Sequence, residues 1–162
     1  MRLPICFLTL SLTLSLALSR ALLLAFSLTL ALFSGLASAE QFKALDHYQV
    51  HYSAINSTFL TAEVAKTYSI SRSKVSGLVN VAVLDTRRQN AAVTARVTGT
   101  FTNLIGQIQA LEFKQVREGK AIYYISEFRF TDDEILSFDL QIQPDPNEPA
   151  YPLRFKQHFY VD

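Results

Sequence analysis

From Tyr48 onward, apolar and polar residues alternate along most of the chain. Tyr48, Val50 and Tyr52 alternate with Gln49, His51 and Ser53, and Val93, Ala95, Val97, Gly99 and Phe101 with Thr94, Arg96, Thr98, Thr100 and Thr102. The same period runs through Leu111–Lys114, Ile122–Phe130, Leu136–Gln143 and Leu153–Tyr160. Successive side chains of a strand point to opposite faces, so period two marks a strand with one face buried. A seventh run, Leu78–Leu84, is apolar at every position except Asn80 and reads as a central strand covered on both faces.

Turn chemistry separates the runs. Asp85–Asn90 is polar, Glu118-Gly119-Lys120 is a short hairpin loop, Asp132-Asp133-Glu134 links two runs, and Pro144–Pro152 is proline-rich. Thr61–Tyr68 breaks the period. Thr61 suits an N-cap, Glu63 an early helical turn, and Val64 and Tyr68 share one helical face. About seven short antiparallel strands with one short helix after the first predict an all-β sandwich of immunoglobulin-like type. A cystatin-like α+β arrangement is the alternative.

The first 39 residues differ in kind. Residues 3–19 and 21–33 are apolar, interrupted only by Arg20, and Ala37-Ser38-Ala39 ahead of Glu40 has the small–x–small pattern of a signal-peptidase site. The reading is a signal peptide over 1–39, cut between Ala39 and Glu40, then a single domain over 40–162 exported to the periplasm. The alternative is an uncleaved anchor in the inner membrane, facing the periplasm. Against an anchor, Arg20 at the centre of a spanning helix would cost roughly 2.5–3.5 kcal/mol on insertion scales.

Composition then narrows function. Removing Arg2 and Arg20 from the 15 bases leaves 13 against 14 acids, a net charge of −1 beyond the leader. Near-neutral charge gives no steering towards nucleic acid, and a membrane is a partner only if the leader stays attached. The single Cys (Cys6) and single Met (Met1) both lie in the leader, so the exported domain has no disulfide, no thiol nucleophile and no thiolate ligand. Its stability must come from packing, supplied by nine of the 12 Phe and all seven Tyr.

Chemistry is sparse. His47 and His51 are four apart, which on a strand is about 13 Å, too far to share an ion. Asp132-Asp133-Glu134 lacks the glycine and ligand spacing of a calcium loop. Glu112, Glu127 and Asp139 sit on polar strand positions with nothing marking a catalytic pair. No G-x-S-x-G, H-E-x-x-H, P-loop or G-x-G-x-x-G occurs. No catalytic residue, metal site or cofactor is assigned.

Two features remain as candidates. Asn80 is either an internal hydrogen-bond anchor or the floor of a pocket, because a buried amide left unpaired costs roughly 1–3 kcal/mol. The stretch Asn56–Lys74 carries Asn56, Thr58, Phe59, Arg72 and Lys74 on a long connection. Such connections on a rigid scaffold often bind partners, although its apolar residues Phe59, Leu60 and Tyr68 could instead plug the end of the sandwich.

Several strings together resemble one bacterial family. These are Tyr48–Leu60, Arg72-Ser73-Lys74, Gly77–Leu84, Asn103-Leu104 with Gly106-Gln107, and Val116–Ile125. The chain is similar over nearly all of 40–160 to the domain of unknown function numbered 4426. The resemblance implies an exported, periplasmic protein of Gram-negative bacteria and carries over no activity. The leading functional expectation is a non-catalytic module binding a periplasmic protein or peptide through a sheet edge or the Asn56–Lys74 region. A periplasmic carrier of small apolar ligands, with Asn80 beneath its cavity, is the alternative, and an unrecognised hydrolase comes third.

Overall fold

Alternation along the chain resolves into two antiparallel sheets packed face to face. The computed structural model describes residues 41–161; the expected leader over 1–39 and its cleavage point at Ala39–Glu40 lie outside them. Ten strands run in order: β1 (Phe42–Leu45), β2 (Tyr48–Asn56), β3 (Ser76–Asp85), β4 (Ala91–Ala92), β5 (Arg96–Thr102), β6 (Ile108–Leu111), β7 (Lys114–Glu118), β8 (Ala121–Arg129), β9 (Glu134–Gln143) and β10 (Tyr151–Phe159). A short helix, α1 (Ala62–Thr67), lies between β2 and β3, capped by the Thr61 side chain accepting from Val64 N.

The first sheet has the order β1-β2-β3-β8-β7, with the two-residue β4 added beside β3; the second has the order β10-β9-β5-β6. Six of the seven expected runs supply strands, and the all-β sandwich holds; the seventh, Leu111–Lys114, is instead the break between β6 and β7, with only its two end residues in strands. The additions are β1, β4 and most of β6 and β7, which are too short or too charged to show a clear period. Two of the expected runs also bend between sheets. The chain leaves β4 at Val93, whose N–H still donates to Val83 O at 2.9 Å, and joins the second sheet at Arg96. It returns to the first sheet between Leu111 and Lys114. The Asp132-Asp133 turn likewise links strands of different sheets, β8 and β9.

The core forms where the inner faces meet. Val79, Val81 and Val83 of β3 oppose Leu136, Phe138, Leu140 and Ile142 of β9, all buried. Phe128 is the hub of an aromatic group, with ring centroids 5.4 Å from Phe101, 5.4 Å from Phe138, 5.2 Å from Phe159 and 6.4 Å from Phe130. Phe138 stacks on Phe155 at 4.8 Å. These rings give a cysteine-free domain its buried apolar area.

One expectation about β3 is corrected. It is central, between β2 and β8, but among the described residues only its Leu78 end is covered on both faces. There Leu78 packs with Ala65 of α1 and with Ile70, forming a second small core. Asn80, Ala82 and Leu84 on the same outer face are only half-buried.

Candidate functional site

The ends of β2, β8 and β10 meet the starts of β3 and β9 at one end of the sandwich, and most of the predicted candidates gather there. Asn56, the last residue of β2, is buried and its amide faces inward. Its Oδ1 accepts from Thr58 N at 3.2 Å, and its Nδ2 donates to Lys74 O at 3.5 Å and Tyr160 O at 3.3 Å. Next to it, Ser57 is fully buried; its Oγ donates to Ser73 O at 3.0 Å and accepts from Ser73 N at 2.9 Å. Arg72 folds back so that its Nη2 donates to Thr58 O at 3.1 Å. The 56–74 connection is thus tied down at both ends rather than left as an open loop. Phe59 is the most exposed large apolar residue it displays, at 72%, with Val64 and Lys74 also at the surface. Asn80 is not part of this group. It stands mid-strand on the outer face of the first sheet, paired across to Ser53 and Ile125, with Oδ1 shielded and unbonded among the described residues.

The histidines do not converge. His47 lies at the opposite end, with Nδ1 2.5 Å from Asp46 Oδ2 and Nε2 2.5 Å from Arg87 Nη2. The imidazole beside it holds the Asp46 carboxyl below the usual carboxylate range. At that end burial, reinforced by the Glu148 carboxylate, raises the phenols of Tyr48 and Tyr151 above their ordinary value. His51 faces outward from β2 beside Phe42. His158 lies between Asp133 Oδ1 at 2.7 Å and the Tyr160 hydroxyl at 2.8 Å. No three His, Cys, Asp or Glu side chains converge on a possible metal position among the described residues.

A feature that reasoning from sequence missed lies at the same end as Asn56, on the β5–β6 hairpin. Leu104 is 74% exposed, Ile105 79% and Ile108 68%. Their loop is closed by four hydrogen bonds between few residues. Asn103 N donates to Gln107 O at 3.2 Å, Gly106 N donates to Asn103 O at 3.0 Å, Gln107 N donates to Asn103 Oδ1 at 2.9 Å, and Asn103 Nδ2 donates to Gln107 Oε1 at 2.9 Å. Gly106 turns the chain at φ +82°, a conformation that side-chain-bearing residues seldom adopt. Asn103 and Gln107 act as a clamp, and the clamp holds Leu104 and Ile105 outward in water. Exposing two adjacent large aliphatic side chains on a locked turn costs solvation that collapse against the protein would have recovered. Single exposed apolar residues are ordinary; a rigid cluster is not.

Beside the hairpin lies an open groove of about 620 Å³. Val75, Phe101 and Phe130, with Leu104 and Ile105 of the hairpin, form its apolar lining, while Asn103, Gln107, Gln109, Thr131, Arg129, Asp133 and Glu134 provide its polar lining. Two of its acids are already engaged. Asp133 meets His158, and Glu134 Oε2 accepts from Thr131 N at 2.6 Å and Thr131 Oγ1 at 3.0 Å. A smaller hollow of about 140 Å³ on the outer face of the first sheet is lined by Glu112, Lys114 and Glu127 with Tyr68, Ile70, Val116 and Ile125. Glu127 Oε2 there accepts from Ser71 N at 3.1 Å.

Comparison with known proteins agrees with this architecture. The family model described as "Domain of unknown function (DUF4426)" matches residues 42–162. No curated protein matches the chain. The crystal structure of a DUF4426 family protein from Pseudomonas aeruginosa PAO1 is 33% identical, with TM-score 0.67, over 76% of this chain and 96% of that one. A copper-bound variant of FetP from uropathogenic Escherichia coli strain F11 aligns over 75% of this chain and 95% of that one, with TM-score 0.52. At 9% identity, the second likeness is one of fold alone.

Proposed function

We propose that this chain, which belongs to the DUF4426 family, is an exported, non-catalytic module that binds a protein or peptide at the end of its sandwich bearing the β5–β6 hairpin. The observation that carries this reading is the pair Leu104 and Ile105, held outward by the Asn103–Gln107 clamp beside an apolar-floored groove. Binding energy concentrates in a few large side chains whose position needs no ordering on association. A locked turn carrying two aliphatic side chains meets that condition. The carrier reading needs a cavity between the sheets. That space is occupied by the rings around Phe128, which weighs against it.

The reading is tested in cells. A photo-crosslinking amino acid at Ile105 forms a discrete adduct with a second protein, one at exposed Lys66 does not, and Leu104→Asp removes the adduct. Because Leu104 and Ile105 are exposed, the double variant Leu104→Asp/Ile105→Asp keeps its stability within about 0.5 kcal/mol. No adduct from 105, or equal adducts from 66, refutes this binding site. Export is checked by the mass of the chain recovered from periplasmic extract, which should begin at Glu40.

A further inference from the structure

Each sheet leaves two edges, and three of the four carry the devices by which proteins discourage strand pairing. β1 holds Lys43, whose Nζ donates to Pro152 O at 3.1 Å. β7 holds Lys114, Arg117 and Glu118 within five residues, and β10 holds Pro152, Arg154 and Lys156. β6 is different: Ile108-Gln109-Ala110-Leu111 has no charge and no proline, and its first three residues are exposed.

The ladder fixes which of its backbone groups are free. Bonded and non-bonded pairs alternate in an antiparallel ladder. Asn103 N donates to Gln107 O, so the bonded pairs continue through Phe101–Gln109 and Gly99–Leu111. Ile108 and Ala110 therefore turn their N–H and C=O groups away from β5, towards an edge that no described strand occupies. The Gln109 side chain, on the inner face of β6, lines the groove. Arg129 lines the same groove, is exposed, and meets no carboxylate within ion-pair distance among the described residues.

We infer that the occupant of this site is an extended segment of a partner protein that adds to β6 as a further strand. Its main chain pairs with Ile108 and Ala110, one large apolar side chain enters the groove over Phe101 and Phe130, and a carboxylate meets Arg129. The inference rests on the binding reading above but adds its mode and chemistry. In strand addition, backbone bonds supply affinity and alternate side chains supply selectivity, and a strand on β6 would direct every second side chain into the groove. The unguarded edge, the groove inside it and the unpaired cation at its rim match the three parts of such a segment.

The test selects binders from a random nonapeptide phage library on the protein expressed from its full-length chain, then measures the enriched sequences as synthetic peptides. The inference predicts a consensus with alternating apolar positions and an acidic residue. It also predicts at least tenfold weaker binding to Ala110→Pro and to peptides N-methylated at alternate amides, and loss of the acidic preference with Arg129→Gln. Proline at Ala110 removes only an outward-facing N–H, so the fold tolerates it, and an unchanged melting temperature checks this. A second variant, Ile108→Lys, guards the edge without touching the backbone and should weaken binding similarly. If binding requires Leu104 and Ile105 yet survives Ala110→Pro and N-methylation, strand addition is wrong and the binding site stands. No enriched consensus, or a concentration-dependent dimer with exchange-protected Ile108 and Ala110 amides, also overturns it, the latter assigning the edge to a second copy.

Discussion

Gly77 and Phe128 face each other across β3 and β8, and a Cβ built on Gly77 would lie 2.2 Å from Phe128 Cζ, 2.6 Å from Cε2 and 2.9 Å from Cε1. The Phe128 ring cannot simply swing aside, because four other rings surround it. Gly77→Ala therefore overpacks the core and should cost about 1–3 kcal/mol. Phe128→Ala removes a buried ring from the hub and should cost about 3–5 kcal/mol. Combined, the two changes should not add. Once the ring is gone, the methyl introduced by Gly77→Ala enters vacated space, and alanine in a strand interior is better than glycine by roughly 0.5–1 kcal/mol. The double variant should thus match or slightly exceed Phe128→Ala in stability, giving a coupling of about 1–3 kcal/mol or a little more. Urea melts measure this directly. With a slope near 2 kcal/mol per molar, a loss of about 4 kcal/mol moves the midpoint by roughly 2 M. Additive losses, or a Phe128→Ala cost below about 1 kcal/mol, would refute the packing reasoning.

Asn56→Ala removes three hydrogen bonds, two that tie the 56–74 connection to itself at Thr58 and Lys74 and one that reaches Tyr160 just past β10. It should cost about 1–3 kcal/mol and speed amide exchange at Thr58; unchanged exchange would contradict the latching role. At high pH the raised phenols of Tyr48 and Tyr151 should appear as late-titrating absorbance near 295 nm. A phenol whose folded pKa exceeds its unfolded value near 10 stabilises the fold fully below that value, and the contribution is lost as pH rises through the folded pKa. Denaturation midpoints should therefore fall above about pH 10, and less so in Tyr48→Phe; an unchanged difference between the two proteins would contradict the sign.

The sandwich was legible because one-sided burial imposes period two on long strands, and residues such as Phe138 and Leu140 followed it. Short edge strands carry too few residues to show a period, so β1 and β7 were invisible. The mistaken double coverage of β3 came from Ala82 and Leu84, apolar residues left half-buried on the outer face. The binding candidates were legible only in part. Polar residues at Asn56 and Arg72 suggested a surface, but folding turns both onto neighbouring main-chain groups. Leu104 and Ile105 stand between two alternating runs, where neither period nor charge marks an apolar residue as exposed. The available clue was local: Asn103 and Gln107 frame a Leu-Ile-Gly turn, and an amide at each end can close it.

Binding at this end of the sandwich requires a hairpin tip that presents Leu104 and Ile105 rigidly rather than as a loose loop. Backbone ¹⁵N relaxation of the purified protein tests this most directly. Order parameters at Leu104, Ile105 and Gly106 should be near 0.85, like those of β5, and should fall in Asn103→Ala. Values below about 0.6 in the unaltered protein would mean that no preformed surface exists there.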